Sequence, residues 1–426
     1  MSEAGVSTLQ KSMGGAIGTF VALSTILGSG MMILPGTSYH ELGRSAWIPW
    51  AIAAVSVIPL LYCYAWLGRR HPSASGLAYY SEVALGPAVG HTSGLLAMFA
   101  LVTGIPATAI TGGRYVAEFS GAGYLEWAFP VVVLGAATAV SCVGATVSGK
   151  LQVSLILGLF ALVTCTAVVA LSTDGPAAPS IELPHLGSLG AVLTAVYVAF
   201  TGWETVAFTF EEHKRPDLIP RIFAASYVAV VALYALLLLA LFAAVNSEDE
   251  SLASAPLLIL AERSLGDLGR PVTLLLVLAS ILANVFASVL ALSRLVFGMA
   301  RSGYLPAVLT RTRERDRNPV TSVVVVGTVL ILIAILATSG LFRFEVLFVL
   351  SGGIYFVLYG IGAASFARLA RGDRARVISG LCAVTVVAVT VLAGPPMWLC
   401  WGLFALVLLG IVLLGRRPSA RRPVEG

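Results

Sequence analysis

Twelve apolar stretches recur along this chain, near residues 14–38, 46–68, 88–116, 127–147, 150–172, 188–210, 221–245, 272–300, 320–339, 345–367, 375–393 and 396–415. Each approaches or exceeds the ~20 helical residues needed to cross about 30 Å of hydrocarbon. In hydrocarbon every backbone N–H and C=O has to be satisfied inside the protein, so runs of this length are expected to span as helices. The expected fold is therefore an all-α integral membrane bundle of about twelve transmembrane helices. Composition agrees: 58% of the 426 residues are hydrophobic and 11% charged, against roughly a quarter charged in soluble domains. So few charges cannot cover a soluble surface, and one continuous membrane domain is expected.

The net charge of +5 matters less than its placement. With an even number of spans, one face collects Lys11, Arg69, Arg70, Lys150, Lys214, Arg215, Arg221, Arg294, Arg301, the Arg311 to Arg317 loop, Arg368, Arg371, Arg374, Arg376 and the tail arginines 416, 417, 421 and 422. The other face has only Arg44, Arg114, Arg263, Arg270 and Arg343, beside the acidic run Glu248, Asp249, Glu250. The positive-inside rule then makes the basic face cytoplasmic, with both termini on it, in a multi-pass protein of the cell inner (cytoplasmic) membrane. The Arg311 to Arg317 cluster is read as that anchor and not as a nucleic-acid patch. The N-terminal segment has no small-residue cleavage site after it and is expected to be a retained helix.

Two segments are interrupted by glycine near their middles, the first at Gly28-Ser29-Gly30 and the sixth at Thr201-Gly202-Trp203-Glu204. If segments 1 to 5 and 6 to 10 are two copies, the interruptions occupy matching places, and an odd number of spans per copy makes the second inverted. Paired breaks in inverted repeats point to a midplane binding site in a secondary transporter. The expected organisation is a cytoplasmic tail (1–13), a first repeat (14–172), a second (188–369), two added helices (375–415) and a basic tail (416–426).

Other motifs point to less. Gly144 to Lys150 reads GATVSGK, but Leu151 stands where a P-loop needs Ser or Thr; a turn between segments 4 and 5 is preferred. The five cysteines sit singly in apolar runs and no HExxH occurs, so neither a metal nor another cofactor is expected, and no catalytic set converges. Glu204 is a carboxylate near a helix centre, where it persists only with a partner or a role. It could bind a substrate amine, carry a coupling proton, or lock the unwound backbone; the last two are preferred. Ser280, Asn284 and Ser288 share one face of segment 8 and either bond to neighbouring helices or line the substrate or ion path. Lys150 could put its ammonium where a sodium ion would bind, but snorkelling to the interface is preferred. A sodium site between segments 1 and 8 with Ser288 as ligand stays open.

Nearly the whole chain resembles the amino acid-polyamine-organocation superfamily of permeases. The carriers are GTFVALSTILGSGMMILPG, HPSASGLAYY (Ser75 in place of the first glycine of the family's Pro-x-Ala-Gly-Gly loop), VSGKLQ, FTGWETVAFTFEEHKRPDLIPR (Arg215 in place of the asparagine of Glu-x-x-Asn-Pro) and SRLVFGMARSGYLP. Short loops and the wording of segment 6 look most like the bacterial branch exporting methionine and branched-chain amino acids. The resemblance implies the five-plus-five inverted repeat with discontinuous helices 1 and 6 plus two C-terminal helices. It implies a substrate carboxylate held by amides at Gly28, Ser29 and Gly30, and an amine met by carbonyls around Phe200, Thr201 and Gly202. Trp203, Asn284, Ser351 and Gly352 would shape the pocket, with Glu204, Ser288 and Lys150 in coupling or gating. The expected function is secondary transport of neutral amino acids or related small amines by alternating access, proton-coupled or by exchange, with export as one direction considered. Transport of another small amine or pathway metabolite, or a channel or receptor of the same fold, is the alternative. The partners expected are the small-molecule substrate, lipid and a coupling H+, in a monomer or homodimer.

Overall fold

The computed structural model describes residues 9–174, 179–249, 252, 255–339 and 344–413. The tail arginines 416 to 422, Arg343 and Glu250 lie outside them. Among the described residues the chain is helical, with no named strand and a single isolated bridge between Met13 and His213.

The first apolar stretch forms α1 (Gly15–Ile26) and α2 (Ser29–Leu42), which meet at a bend of about 51°. The second and third spans are α3 (Trp47–Arg70) and α5 (Pro87–Ser120), with the short α4 (Leu77–Leu85) between them. Spans four and five are α6 (Leu125–Val143) and α7 (Ala145–Asp174), parted by Gly144 at φ +139°. The sixth span is again divided, into α8 (Leu186–Ala199) and α9 (Trp203–Ala207). Then follow α10 (Ile219–Ala244), the short α11 (Pro256–Leu265), α12 (Gly269–Arg301), α13 (Val320–Thr338), α14 (Phe344–Leu369), α15 (Asp373–Ala393) and α16 (Pro395–Leu413). Among the described residues, counting the two divided pairs once each gives twelve spans, the predicted number, in the order of a five-plus-five inverted repeat with two helices added.

The breaks fall where local chemistry permits them. Helix α1 ends at Ile26 with Leu27 as its C-cap, and α2 starts at Ser29 with Gly28 as its N-cap. The sixth span stops at Phe200, and its backbone turns through Gly202 at φ +109°, which side chains with a Cβ rarely adopt. Trp203 and Glu204, expected within the break, already belong to α9.

Helix α12 is the axis of the bundle, packing against α1, α5, α6, α7 and α13, and its C-terminal half is buried continuously from Val285 to Ala300. The outer helices carry the apolar exposure a bilayer takes up, with Val132, Val384 and Val391 each about two-thirds exposed. Two elements were not foreseen: α4 lies against α5 and α14 near the basic face, and α11 packs on α2, α7 and α12 at the opposite one.

Candidate functional site: the crossing of two broken helices

The two breaks touch. A β-carbon on Gly202 would lie 2.6 Å from the Thr25 carbonyl oxygen of α1, and one on Gly30 would lie 3.6 Å from Ala199 Cα at the end of α8. Gly202 is therefore required twice, for its dihedral and for this approach. Four half-helix ends converge at one point in the bundle.

An interrupted helix exposes backbone groups that have lost their ladder. The last four carbonyls of α1 are all accounted for. Leu23 and Ile26 accept from the amides of Leu27 and Gly28, both at 2.9 Å, and the Asn284 side-chain amide donates to Ser24 at 3.1 Å and Thr25 at 2.9 Å. One turn away, the Ser280 hydroxyl donates to Leu27 O at 2.8 Å. The polar stripe of the eighth span thus divides its work: Ser280 and Asn284 dress the end of α1, and Asn284 and Ser288 also face a cavity.

That cavity, of about 110 Å³, is walled by Thr25, Ile26, Gly28 and Gly30 of the first span, Leu101, Gly104, Ile105 and Thr108 of α5, and Val198, Thr201, Gly202 and Thr205 of the sixth span. Asn284 and Ser288 of α12 and Ser351, Gly352 and Tyr355 of α14 complete it. On one side the first amides of α2, at Ser29 and Gly30, have no intrahelical acceptor to reach, and the positive end of the helix dipole adds to them. The unwound stretch between α8 and α9 brings Thr201 and Gly202 to the same space, and Phe200 and Thr201 lie outside both helices. No Asp, Glu, Lys, Arg or His lines the space among the described residues. Larger grooves of about 500 and 320 Å³ lie on the outside of the bundle against α14 to α16 and against α3, Phe200 and α10, but their walls are almost wholly apolar.

Seven of the predicted residues line this cavity: Gly28, Gly30, Thr201, Gly202, Asn284, Ser351 and Gly352, with Ser288 as an eighth from the coupling group. Ser29 contributes its place at the start of α2. Phe200 and Trp203 do not line it. Phe200 packs on Trp50 and Tyr234 at 6.1 and 5.7 Å, and Trp203 is fully buried against Phe223 at 5.4 Å. An aromatic side chain at a break buries its ring in the nearest apolar layer, and here that layer is on the far side of the sixth span.

Glu204 is fully buried one layer behind the cavity. Its carboxylate accepts from the Gly202 amide at 3.3 Å and the Thr205 hydroxyl at 3.4 Å, with the Tyr359 hydroxyl beside it. It sits at the N-terminal turn of α9, where a negative charge would meet the positive helix end. Lys150 lies elsewhere. It is exposed on α7, while its neighbour Gly149 makes the inward contact with Ile17, so its ammonium does not occupy a position between α1 and α12.

The basic face is closed by a network that residue-type reasoning missed. Arg294, counted in the sequence as a surface anchor, is 1% exposed and binds Glu212 at 2.5 Å. It also reaches Asn318 at 3.0 Å, and Asn318 in turn donates to the Ser141 and Cys142 carbonyls of α6. Arg301 grips Glu211 through two nitrogens, at 2.6 and 2.5 Å. Glu211 accepts as well from the amides of Leu9 and Ala74. Burial alone would raise its carboxyl, but Arg301 and those amides hold it below the usual range. Residues 9–13 lie across this network, Ser12 and Met13 both donating to Glu212 O at 2.9 Å. The signal was available in the adjacent Glu211-Glu212 pair after the sixth span, whose charges need partners at that depth.

A family model described as amino acid permease matches residues 18–416. YecA, an uncharacterized amino acid permease of Bacillus subtilis (strain 168), is 26% identical over 350 residues, 81% of each chain. YjeH, the L-methionine/branched-chain amino acid exporter of Escherichia coli (strain K12), is 28% identical over 222 residues, 50% of this chain and 51% of that one. Among solved structures, MhsT in complex with L-phenylalanine superposes with a TM-score of 0.60 at 14% identity, covering 95% of this chain and 99% of that one. The shared fold, the convergent helix breaks and a family match over nearly the whole length lead to one conclusion: this chain is a multi-pass membrane protein of the amino acid permease family, a transporter of amino acids and not an enzyme.

Proposed function

We propose that the cavity at the crossing binds the zwitterion of a neutral amino acid and releases it to alternate sides of the cytoplasmic membrane. The observation carrying this reading is the meeting, around one small space, of the start of α2 at Gly28 and Gly30 with the unwound backbone at Thr201 and Gly202. A carboxylate and an ammonium on one carbon complement such a pair, and backbone dipoles receive both without a protein charge. The uncharged lining favours substrates whose side chain is also neutral. Thr205 links this space to Glu204 by its hydroxyl, so protonation of the carboxylate would alter how the end of α9 presents its groups. That gives Glu204 the coupling role, with H+ as the driving ion or exchange as the default cycle.

By the positive-inside rule the face closed by Arg294 and Arg301 is cytoplasmic, with both termini on it. Opening then means parting Glu211 and Glu212 from α12. Residues 14–172 and 188–369 act as the two repeats in this cycle. The closed network favours a carrier over a channel, since a continuous pore has no need of one. Solute counterflow in proteoliposomes tests the reading: vesicles preloaded with a neutral amino acid should accumulate the same labelled compound. Uptake equal to protein-free vesicles across all neutral amino acids would refute it.

A further inference from the structure

The cavity's walls differ in how much room they leave, and this assigns a size limit. With the substrate's carboxylate and ammonium on the two broken helices, its side chain has only the space between α5 and α14. There Ser351 crosses over Gly104: its hydroxyl donates to Ala100 O at 2.8 Å and sits 2.5 Å from where a β-carbon on Gly104 would be. Gly104 is thus a packing residue, closed off by Ser351. Gly352 is different. A β-carbon built on it would meet nothing nearer than a Val198 methyl at 3.9 Å, so the missing side chain is empty space on the cavity wall. Ile105, 2% exposed, closes the wall from α5.

The whole space, about 110 Å³, is smaller than the ~150 Å³ of an apolar cavity that holds one benzene. Pockets for drug-sized ligands run from about 300 Å³ upward. Once carboxylate, ammonium and α-carbon are seated, what is left fits a hydrogen, a methyl or a hydroxymethyl group. We infer that this permease selects neutral amino acids with the shortest side chains, of the glycine, alanine and serine class, and that Gly352 and Ile105 set the upper limit. The inference rests on the zwitterion site proposed above.

The test is a counterflow panel in proteoliposomes with glycine, alanine, serine, leucine, methionine and phenylalanine, run on wild type, Gly352→Ala, Gly352→Val and Ile105→Ala. Wild type should exchange alanine at least about tenfold faster than leucine or phenylalanine. The alanine-to-glycine ratio should fall stepwise from wild type through Gly352→Ala to Gly352→Val, and Ile105→Ala should gain leucine exchange. A gain cannot come from misfolding, which keeps the test decisive if the valine variant is inactive. Wild-type exchange of leucine or phenylalanine at the alanine rate would overturn the size limit and leave the zwitterion site standing. An unchanged glycine-to-alanine-to-leucine order in all three variants would overturn the assignment to Gly352 and Ile105. Absence of exchange for every compound would remove both this inference and the site beneath it.

Discussion

Acidification should loosen the closed basic face through one residue, His213. Its side chain is 1% exposed, lies against Gly18 of α1 so closely that a β-carbon there would be 2.4 Å from the imidazole, and its Nε2 has no hydrogen-bond partner. Burial lowers its pKa from 6.5 to about 4. In an opened face, where water reaches the ring, the pKa returns toward 6.5. Between those values the open form holds a proton that the closed form has released, so closure is fully favoured above 6.5 and weakens as pH falls through the window toward 4. From about pH 7.5 to about 5.5 the linkage amounts to about 1.3 kcal/mol, a roughly tenfold loss in the closed-to-open ratio. Glu211, held below the usual range by Arg301, stays charged throughout. The assay is maleimide labelling of Gln152→Cys, a fully buried position of α7, with each rate normalised to the denatured protein at the same pH. About a tenfold rise in normalised rate is expected at the lower pH, and a flat profile in the same protein carrying His213→Gln. An equal rise in both proteins would refute the reasoning, since the proton would then act elsewhere.

Other consequences concern the polar groups that hold the breaks and the seal. Asn284→Ala removes the donor shared by the Ser24 and Thr25 carbonyls and should destabilise the protein by ~1–3 kcal/mol per orphaned carbonyl; thermal unfolding in detergent reads this as a lowered Tm. Arg294→Met strands the buried Glu212 charge, a loss of ~3–5 kcal/mol, and adding Glu212→Leu should restore most of it, because a buried pair is more easily replaced than halved. Glu204→Gln keeps an oxygen to accept from the Gly202 amide, so counterflow should persist while uptake driven by a pH gradient disappears. Normal gradient-driven uptake by that variant would take Glu204 out of the coupling step.

Most of the architecture was legible because hydropathy over twenty residues is a strong signal, and helix ends fell within a few residues of the apolar stretches. The breaks were legible too, because Gly202 has a backbone reason to be there and Gly28 leaves room for the Asn284 side chain. What composition could not reveal was direction. Phe200 and Trp203 stand beside Thr201 and Gly202 in sequence, yet helical geometry turns their rings to the apolar layer behind. Lys150 and Gly149 are neighbours, and only the packing of Ile17 decides which of them faces inward. Arg294 looked like the other arginines of its face because the positive-inside rule counts charges without depth. Its partner, eighty-two residues away in Glu212, is a tertiary fact with no local trace. The stripe of Ser280, Asn284 and Ser288 shows the same limit: the spacing indicated a shared face, and the structure divided that face between bonding to α1 and lining the cavity.

The central claim is that a zwitterion lies between the amides of one broken helix and the carbonyls of the other. It is tested most directly by competition against the labelled neutral amino acid that binds best to purified protein. The unlabelled parent compound should displace it, whereas its carboxamide, lacking the anion, and its N-acetyl derivative, lacking the cation, should each be weaker by about a hundredfold or more, since each leaves one set of buried backbone groups unmatched. Displacement by either derivative as effective as by the parent compound would contradict the account.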